Sequence, residues 1–219
     1  MGFRVSGHTS ADGLTSSTTQ VRPYRLTRAG AGVAMFDSPG MDVKDVATIS
    51  WKDFRWFDDY ARLLLEGRLR GNKASMPASR TGRAWTSTDA SPFFACHALV
   101  MVLRVKPGLL NNLGHLRAAC RNCARLAKRI AVKKNSRPII AVTGRDVLEG
   151  LDKTKRNNAE SIIQQEFSKE ELVPQEDYFI LDAQSRPIRY ETVATVVELM
   201  RAALARAFDR QFDNQRRGR

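Results

Sequence analysis

Three short segments carry residue types whose spacing suits a nucleotide, and each directly follows an apolar run. The first is Asp37-Ser38-Pro39-Gly40, after Val33-Ala34-Met35-Phe36. An aspartate at a strand end can hold a magnesium-bound water, and a glycine three residues on lets a backbone N–H approach a terminal phosphate with no Cβ in the way. The second is Thr143-Gly144-Arg145-Asp146, after Ile139-Ile140-Ala141-Val142. A carboxylate there can accept from both N1–H and the exocyclic amine of guanine, an arrangement adenine cannot satisfy, so Asp146 would carry base specificity. The third, Asp182-Ala183-Gln184 after Phe179-Ile180-Leu181, would turn the backbone N–H of Ala183 towards a base carbonyl. Two have a plainer reading when taken alone, a Pro/Gly turn for the first and Asp146 as a helix N-cap for the second, and the third by itself says almost nothing.

The elements that must hold these segments are visible as periodicity. Val21 to Thr27 alternates apolar and polar residues and Gly32 to Phe36 is a short apolar run, so the two are expected to form an antiparallel pair. Phe54, Phe57, Tyr60, Ala61, Leu64 and Leu65 recur at three- and four-residue steps and predict a helix. Residues 71–92 are rich in Ser, Thr, Gly, Arg and Pro without period, which predicts a long loop. Beyond it the pattern is regular. Phe93 to Val105 reads as a buried strand, Leu109 to Val132 as a long helix and Pro138 to Val142 as another buried strand. Thr154 to Phe167 reads as a helix, Tyr178 to Leu181 as a strand and Glu191 to Phe212 as an amphipathic helix. Strand and helix in alternation imply right-handed crossovers and a mostly parallel α/β sheet covered on both faces. Such sheets bind ligands at the carboxyl ends of their strands, where all three segments fall.

In this order and context the three segments resemble the D-x-x-G, [NT]-[KQ]-x-D and S-A-x motifs of the P-loop GTPase superfamily. Within it, the chain is similar to interferon-induced protein forty-four and its relatives from about Thr15 to the final helix. The residues carrying that likeness are Phe36 to Met41, Leu65-Glu66-Gly67-Arg68-Leu69, Cys96 to Val102 and Ile140 to Asp146. The resemblance implies a three-layer α/β/α, Ras-like domain over 1–219 that binds GTP or GDP with Mg2+. It puts Thr143, Asp146 and Ala183 on the guanine, and Asp37 and Gly40 on the phosphate side. The switch threonine on magnesium would be Thr18, in a switch region of about 10–20, with Thr15 and Thr19 as alternatives.

The departures are as specific as the matches. Thr143 and Gly144 stand where Asn and Lys are usual, so no lysine stacks on the base. The phosphate loop G-x-x-x-x-G-K-[ST] is not found, and only 17 residues precede Thr18, too few for the strand, loop and helix that surround it. The chain is therefore expected to be a G domain without its first strand, weak in nucleotide binding, with neighbouring strand edges exposed. Gly67-Arg68-Leu69-Arg70-Gly71-Asn72-Lys73 is a decoy, because Asn72 separates the glycine from the lysine and a helix precedes it. Neither a catalytic glutamine nor an arginine finger can be assigned, so hydrolysis is not implied.

Composition narrows the alternatives. A hydrophobic fraction of 42% with 27% charged residues argues for a folded chain. No apolar stretch reaches the roughly 18 residues of a membrane span, and the polar start lacks a signal-peptide core, so the cytosol is the expected location. The +13 net charge would suit a polyanion, but the basic residues are dispersed, which speaks against nucleic acid as the main partner. Cys120 and Cys123 form a C-x-x-C without the further ligands zinc needs, and read as small helix residues one turn apart. His8, His97 and His115 accompany no nucleophile motif, and His97 is read as a core or strand-end residue. A different class of function remains: a degenerate GTPase fold that binds a protein partner through Trp51, Trp56 and its basic surface, independently of nucleotide.

Overall fold

The structure is a computed structural model that describes residues 22–25, 34–37, 55–68, 95–134, 136–182 and 189–217. Two compact units are distinguished, Met1–Asp42 with Asp59–Cys96, and Val43–Asp58 with His97–Arg219. In the first unit, β1 (Arg22–Arg25) and β2 (Ala34–Asp37) pair antiparallel, as the alternation implies, with Arg22 opposite Asp37 and Arg25 opposite Ala34. Asp37 is thus the last residue of the strand itself.

Helix α1 (Arg55–Leu65) follows the predicted apolar spacing, and Tyr60, Ala61, Leu63, Leu64 and Leu65 are buried. It stops at Gly67, whose φ of 68° a side chain would disfavour. The Gly67 N–H donates to Leu64 O and the Arg68 N–H to Leu63 O, the paired bonds of a Schellman cap. The glycine that opens the loop-like decoy is therefore a helix stop.

The second unit is mixed α/β, built on a three-stranded parallel sheet in the order β3-β4-β5. Its elements are β3 (Val100–Arg104), α2 (Pro107–Leu110), α3 (Leu113–Lys134), β4 (Ile139–Thr143), α4 (Arg145–Glu149), α5 (Lys153–Ser168), β5 (Tyr178–Leu181) and α6 (Tyr190–Arg217). Helices pack on both faces. On one, Leu103, Val105, Ile140, Val142 and Tyr178 meet Leu116, Cys120, Ile163 and Phe167 of α3 and α5. On the other, Ile139, Ala141, Phe179 and Leu181 meet Leu199 of α6.

Three expectations are corrected. The long helix over 109–132 is two, because Asn112 accepts the Gly114 N–H on its Oδ1 at 2.9 Å and so starts α3 afresh, in the manner of an N-cap. The strand expected from Phe93 begins only at Val100, and it is half-exposed, with Val102 67% accessible against 3% for Ala141 beside it. Apolar residues on both sides of a strand do not reveal whether anything covers both sides. His97 lies exposed in a bend ahead of β3 and is not a core residue.

Two buried carboxylates tie helices to this frame. Glu166 of α5, its side chain fully buried, accepts from Arg121 of α3 at 2.9 Å and from Lys169 at 2.6 Å. Burial opposes its ionisation, but those charged donors outweigh it and hold the carboxyl below its usual range. Asp177, also fully buried, accepts from Arg137 at 2.7 Å, from the Val173 N–H at 3.0 Å and from Arg206 of α6 at 2.8 Å. Arg206 further donates to the carbonyls of Arg137, Pro138 and Glu176, so one guanidinium staples α6 to the amino ends of β4 and β5.

Candidate functional site

The carboxyl ends of the three parallel strands meet at Gly144. The Val105 N–H, just past β3, donates to Thr143 O at 2.7 Å, and the Gly144 N–H donates to Leu181 O, at the end of β5, at 2.8 Å. Gly144 has φ 112° and ψ 27°, and a Cβ built on it would lie 2.4 Å from Val105 O. Backbone carbonyl cannot yield as a flexible side chain can. The lysine usual at this place in the resembled motif is thus excluded by the local path of the chain.

Gly144 is also the N-cap of α4, whose Val147 and Leu148 N–H groups donate to its carbonyl. The plainer reading of Asp146 as a helix N-cap does not hold: Asp146 stands in the first turn, half-buried, just beyond the β4 end. Thr143 closes β4 between Arg104 of β3 and Leu181 of β5.

Asp182 follows β5 directly, and its side chain is only 2% exposed. Its Oδ2 accepts from the Thr192 hydroxyl in the first turn of α6 and lies 4.0 Å from Arg189 Nε. Arg189 in turn donates to Glu149 of α4, which also meets Arg145 at 3.2 Å. The hydrogen bond and charge of Glu149 raise the pKa of Arg189 above its ordinary value, so the guanidinium is cationic at every working pH. A chain of charges, Arg145, Glu149, Arg189 and Asp182, therefore closes the rim and fixes the start of α6.

The structure brings Thr143 and Asp146 together with Asp182 at one end of the sheet. Thr18, Gly40 and Ala183 lie outside the described residues, as does the loop of 71–92, and Asp37 is placed in the other unit at the end of β2. Glu149, Arg189 and Thr192 were not singled out by sequence. Arg189 and Glu149 are 40 positions apart, and no local pattern marks such a pair.

Among the described residues, no group of three or more His, Cys, Asp or Glu is placed to hold a metal ion. Cys120 and Cys123 are unoxidised and buried in α3. Burial pushes the Cys123 thiol up to about 12 and raises that of Cys120 too, with Cys123 and Glu166 adding to the effect, so both are protonated and poorly nucleophilic. No helix among the described residues is long and apolar enough to cross a membrane. Comparison with family models, with curated proteins and with solved structures gave no significant match.

Proposed function

We propose that the chain is a guanine-nucleotide-binding domain of the Ras-like GTPase type, related to the interferon-induced protein forty-four family and working in the cytosol. The observation that carries the reading is the placement of Thr143, Asp146 and Asp182 at the carboxyl ends of adjacent parallel strands, where open α/β sheets take their ligands. Asp146 would accept from the guanine edge, and the Ala183 N–H would meet the base carbonyl. What supports a base at this end is a carboxylate, that of Asp146, two residues past the bare backbone turn at Gly144. One face of the base then lacks the usual lysine, which favours modest affinity.

On the phosphate side, Thr18, Asp37 and Gly40 are assigned from sequence, with Thr18 and Asp37 towards Mg2+, which would neutralise phosphate charge when bound. Binding, not hydrolysis, is proposed, since no water-positioning residue or transition-state cation is identified. Competition of GTP and ATP against a fluorescent guanine nucleotide tests the reading. A preference for GTP of about tenfold or more, lost in Asp146→Ala, is expected, equivalent to about 1.4 kcal/mol of discrimination. Equal displacement by ATP sinks it.

A second reading is supported by one observation: among the described residues no strand pairs with the outer edge of β3, whose valines Val100 and Val102 are exposed. In this reading the fold serves as a protein-interaction module that does not need nucleotide. Capture of a partner unchanged by GTP, GDP or Asp146→Ala is its expected signature, and nucleotide-sensitive capture counts against it.

A further inference from the structure

The base site has one bare face, and the backbone itself causes it. A Cβ at Gly144 would lie 2.4 Å from Val105 O, so no side chain on that turn can lie over the ring of a bound base. A purine left with a face in water forfeits the stacking that makes base recognition tight. A cover for that face has to come from another element of the rim.

Arg189 is placed to supply it. The residue stands immediately before α6, where its carbonyl accepts from the Val193 N–H at 3.2 Å and so starts the helix. Its guanidinium joins the two elements that carry the base-recognising groups. Nη1 donates to Glu149 on α4, and Nε lies 4.0 Å from Oδ2 of Asp182, the residue before Ala183. Asp146 and Glu149 are three positions apart on α4, and residues so spaced are neighbours on a helix surface. Glu149 is held in turn by Arg145 at 3.2 Å and Asp182 by the Thr192 hydroxyl, so both anchors of Arg189 are themselves fixed.

The way the guanidinium is held decides what it can still bind. A phosphate or carboxylate is gripped through two adjacent N–H groups in the plane of the fork. Each such edge, Nε with Nη2 and Nη1 with Nη2, already has one nitrogen turned to a carboxylate. What remains are the flat faces, which stack on aromatic rings. The side chain is 45% exposed, so the protein does not shut those faces in. Because groups on two elements set its plane, little rotamer freedom is left to lose when a ring settles against it. Tyr190, the next residue, is the rival cover, but it is 85% exposed and would have to be ordered first.

We propose that Arg189 is the stacking residue of the base site, covering with its guanidinium a purine face that Gly144 leaves bare, and that Glu149 is a positioning residue acting through it. The proposal rests on the guanine-binding reading and divides the work within that site. Asp146 tells guanine from adenine, whereas Arg189 holds either purine, because every base has a π-face.

The test is competition of GTP and ATP against a fluorescent guanine nucleotide on the 219-residue chain and its variants, with amide exchange in β4 and β5 showing that each variant is folded. Arg189→Ala should weaken GTP and ATP by the same factor, about fivefold or more, and leave their ratio unchanged. Arg189→Lys keeps the charge, and with it the ion pair to Glu149, but not the plane, so it should lose as much. Glu149→Ala should weaken both nucleotides by about threefold, with no further loss when Arg189 is already Ala, and Glu149→Gln, which keeps an acceptor, should recover most of it. Tyr190→Ala should bind as the parent does. Full affinity in Arg189→Ala, rescue by Arg189→Lys, a changed ratio of GTP to ATP in either, or a loss that falls on Tyr190→Ala overturns the proposal and leaves the guanine reading standing. Independent, additive losses at Arg189 and Glu149 remove the positioning role. A parent chain with no preference for GTP removes the reading and the proposal together.

Discussion

The two ends of the parallel sheet each hold a buried aspartate near arginine, and they differ in what else surrounds it. At the amino end, Asp177 is fully buried and accepts from two guanidinium groups and a backbone N–H, while Arg206 is spread over three carbonyls besides. That network spans β4, β5 and α6 and consumes both carboxylate oxygens. At the carboxyl end, Asp182 is nearly as buried but is held by a hydroxyl and a longer contact to Arg189. Next to it lie a glycine that cannot carry a side chain and the half-buried Asp146. A buried acid with an arginine is therefore not itself a mark of function. The end with an obligatory bare backbone and a second carboxylate is the better candidate.

The contrast can be broken first at the amino end. Asp177→Ala removes the shared acceptor of Arg137 and Arg206, and thermal or urea unfolding should show a loss of about 3–5 kcal/mol, the range for breaking a buried pair. A loss below about 1 kcal/mol would mean the staple contributes little beyond the packing of α6.

Gly144→Lys would restore the side chain usual in the resembled motif, yet it forces a left-handed residue against the Val105 carbonyl. Destabilisation of about 2–3 kcal/mol is expected, with no gain in guanine affinity. A stable variant that binds GTP more tightly would show that the turn can rearrange. Asp182→Ala is expected to cost less, about 1–2 kcal/mol, because a hydroxyl and a half-exposed arginine lose their acceptor there, where Asp177→Ala deprives two guanidinium groups and a backbone N–H. Exchange should then rise at the start of α6 and not in β4.

The smallest effect concerns acid. The folded-state pKa of Glu166 is depressed, so its contribution is present above the unfolded carboxyl value of about 4.3 and is lost as pH falls through the lower folded value. Unfolding free energies of the parent and Glu166→Gln should differ by a constant amount above about pH 5.5 and converge below about pH 4. Parallel pH profiles would remove the arginine–glutamate clamp from the account.

Much of the frame was legible in the sequence. The unbroken apolar run Ile139 to Val142 is the central strand, and Tyr178 to Leu181 is β5 as read. The same argument failed for β3, because Val100-Met101-Val102-Leu103 looks like a doubly covered strand while, among the described residues, the core packs on one face and Val102 on the other is exposed. The helix break at Asn111-Asn112 was readable in principle from cap chemistry, but the long apolar period hid it. At the candidate site, Thr143 and Asp146 could be singled out because strand and acid are contiguous in sequence. Glu149, Arg189 and Thr192 were not, since each becomes relevant only through a residue far along the chain.

What the sequence determined alone is the kind and order of the strands and long helices of the sheet unit and the position of acids at its strand ends. Those follow from periodicity and from residues within a few positions of one another, which act before any tertiary contact forms. Only the tertiary structure decided that Gly144 must be bare, that Asp177 and Asp182 hold opposite ends of the same helix, and that Val102 of β3 stays exposed. These depend on Val105 beside Gly144, on Arg206 reaching Pro138 across 68 positions, and on which face a helix happens to cover. Long-range packing has no local signature, so it becomes visible only once the chain has folded.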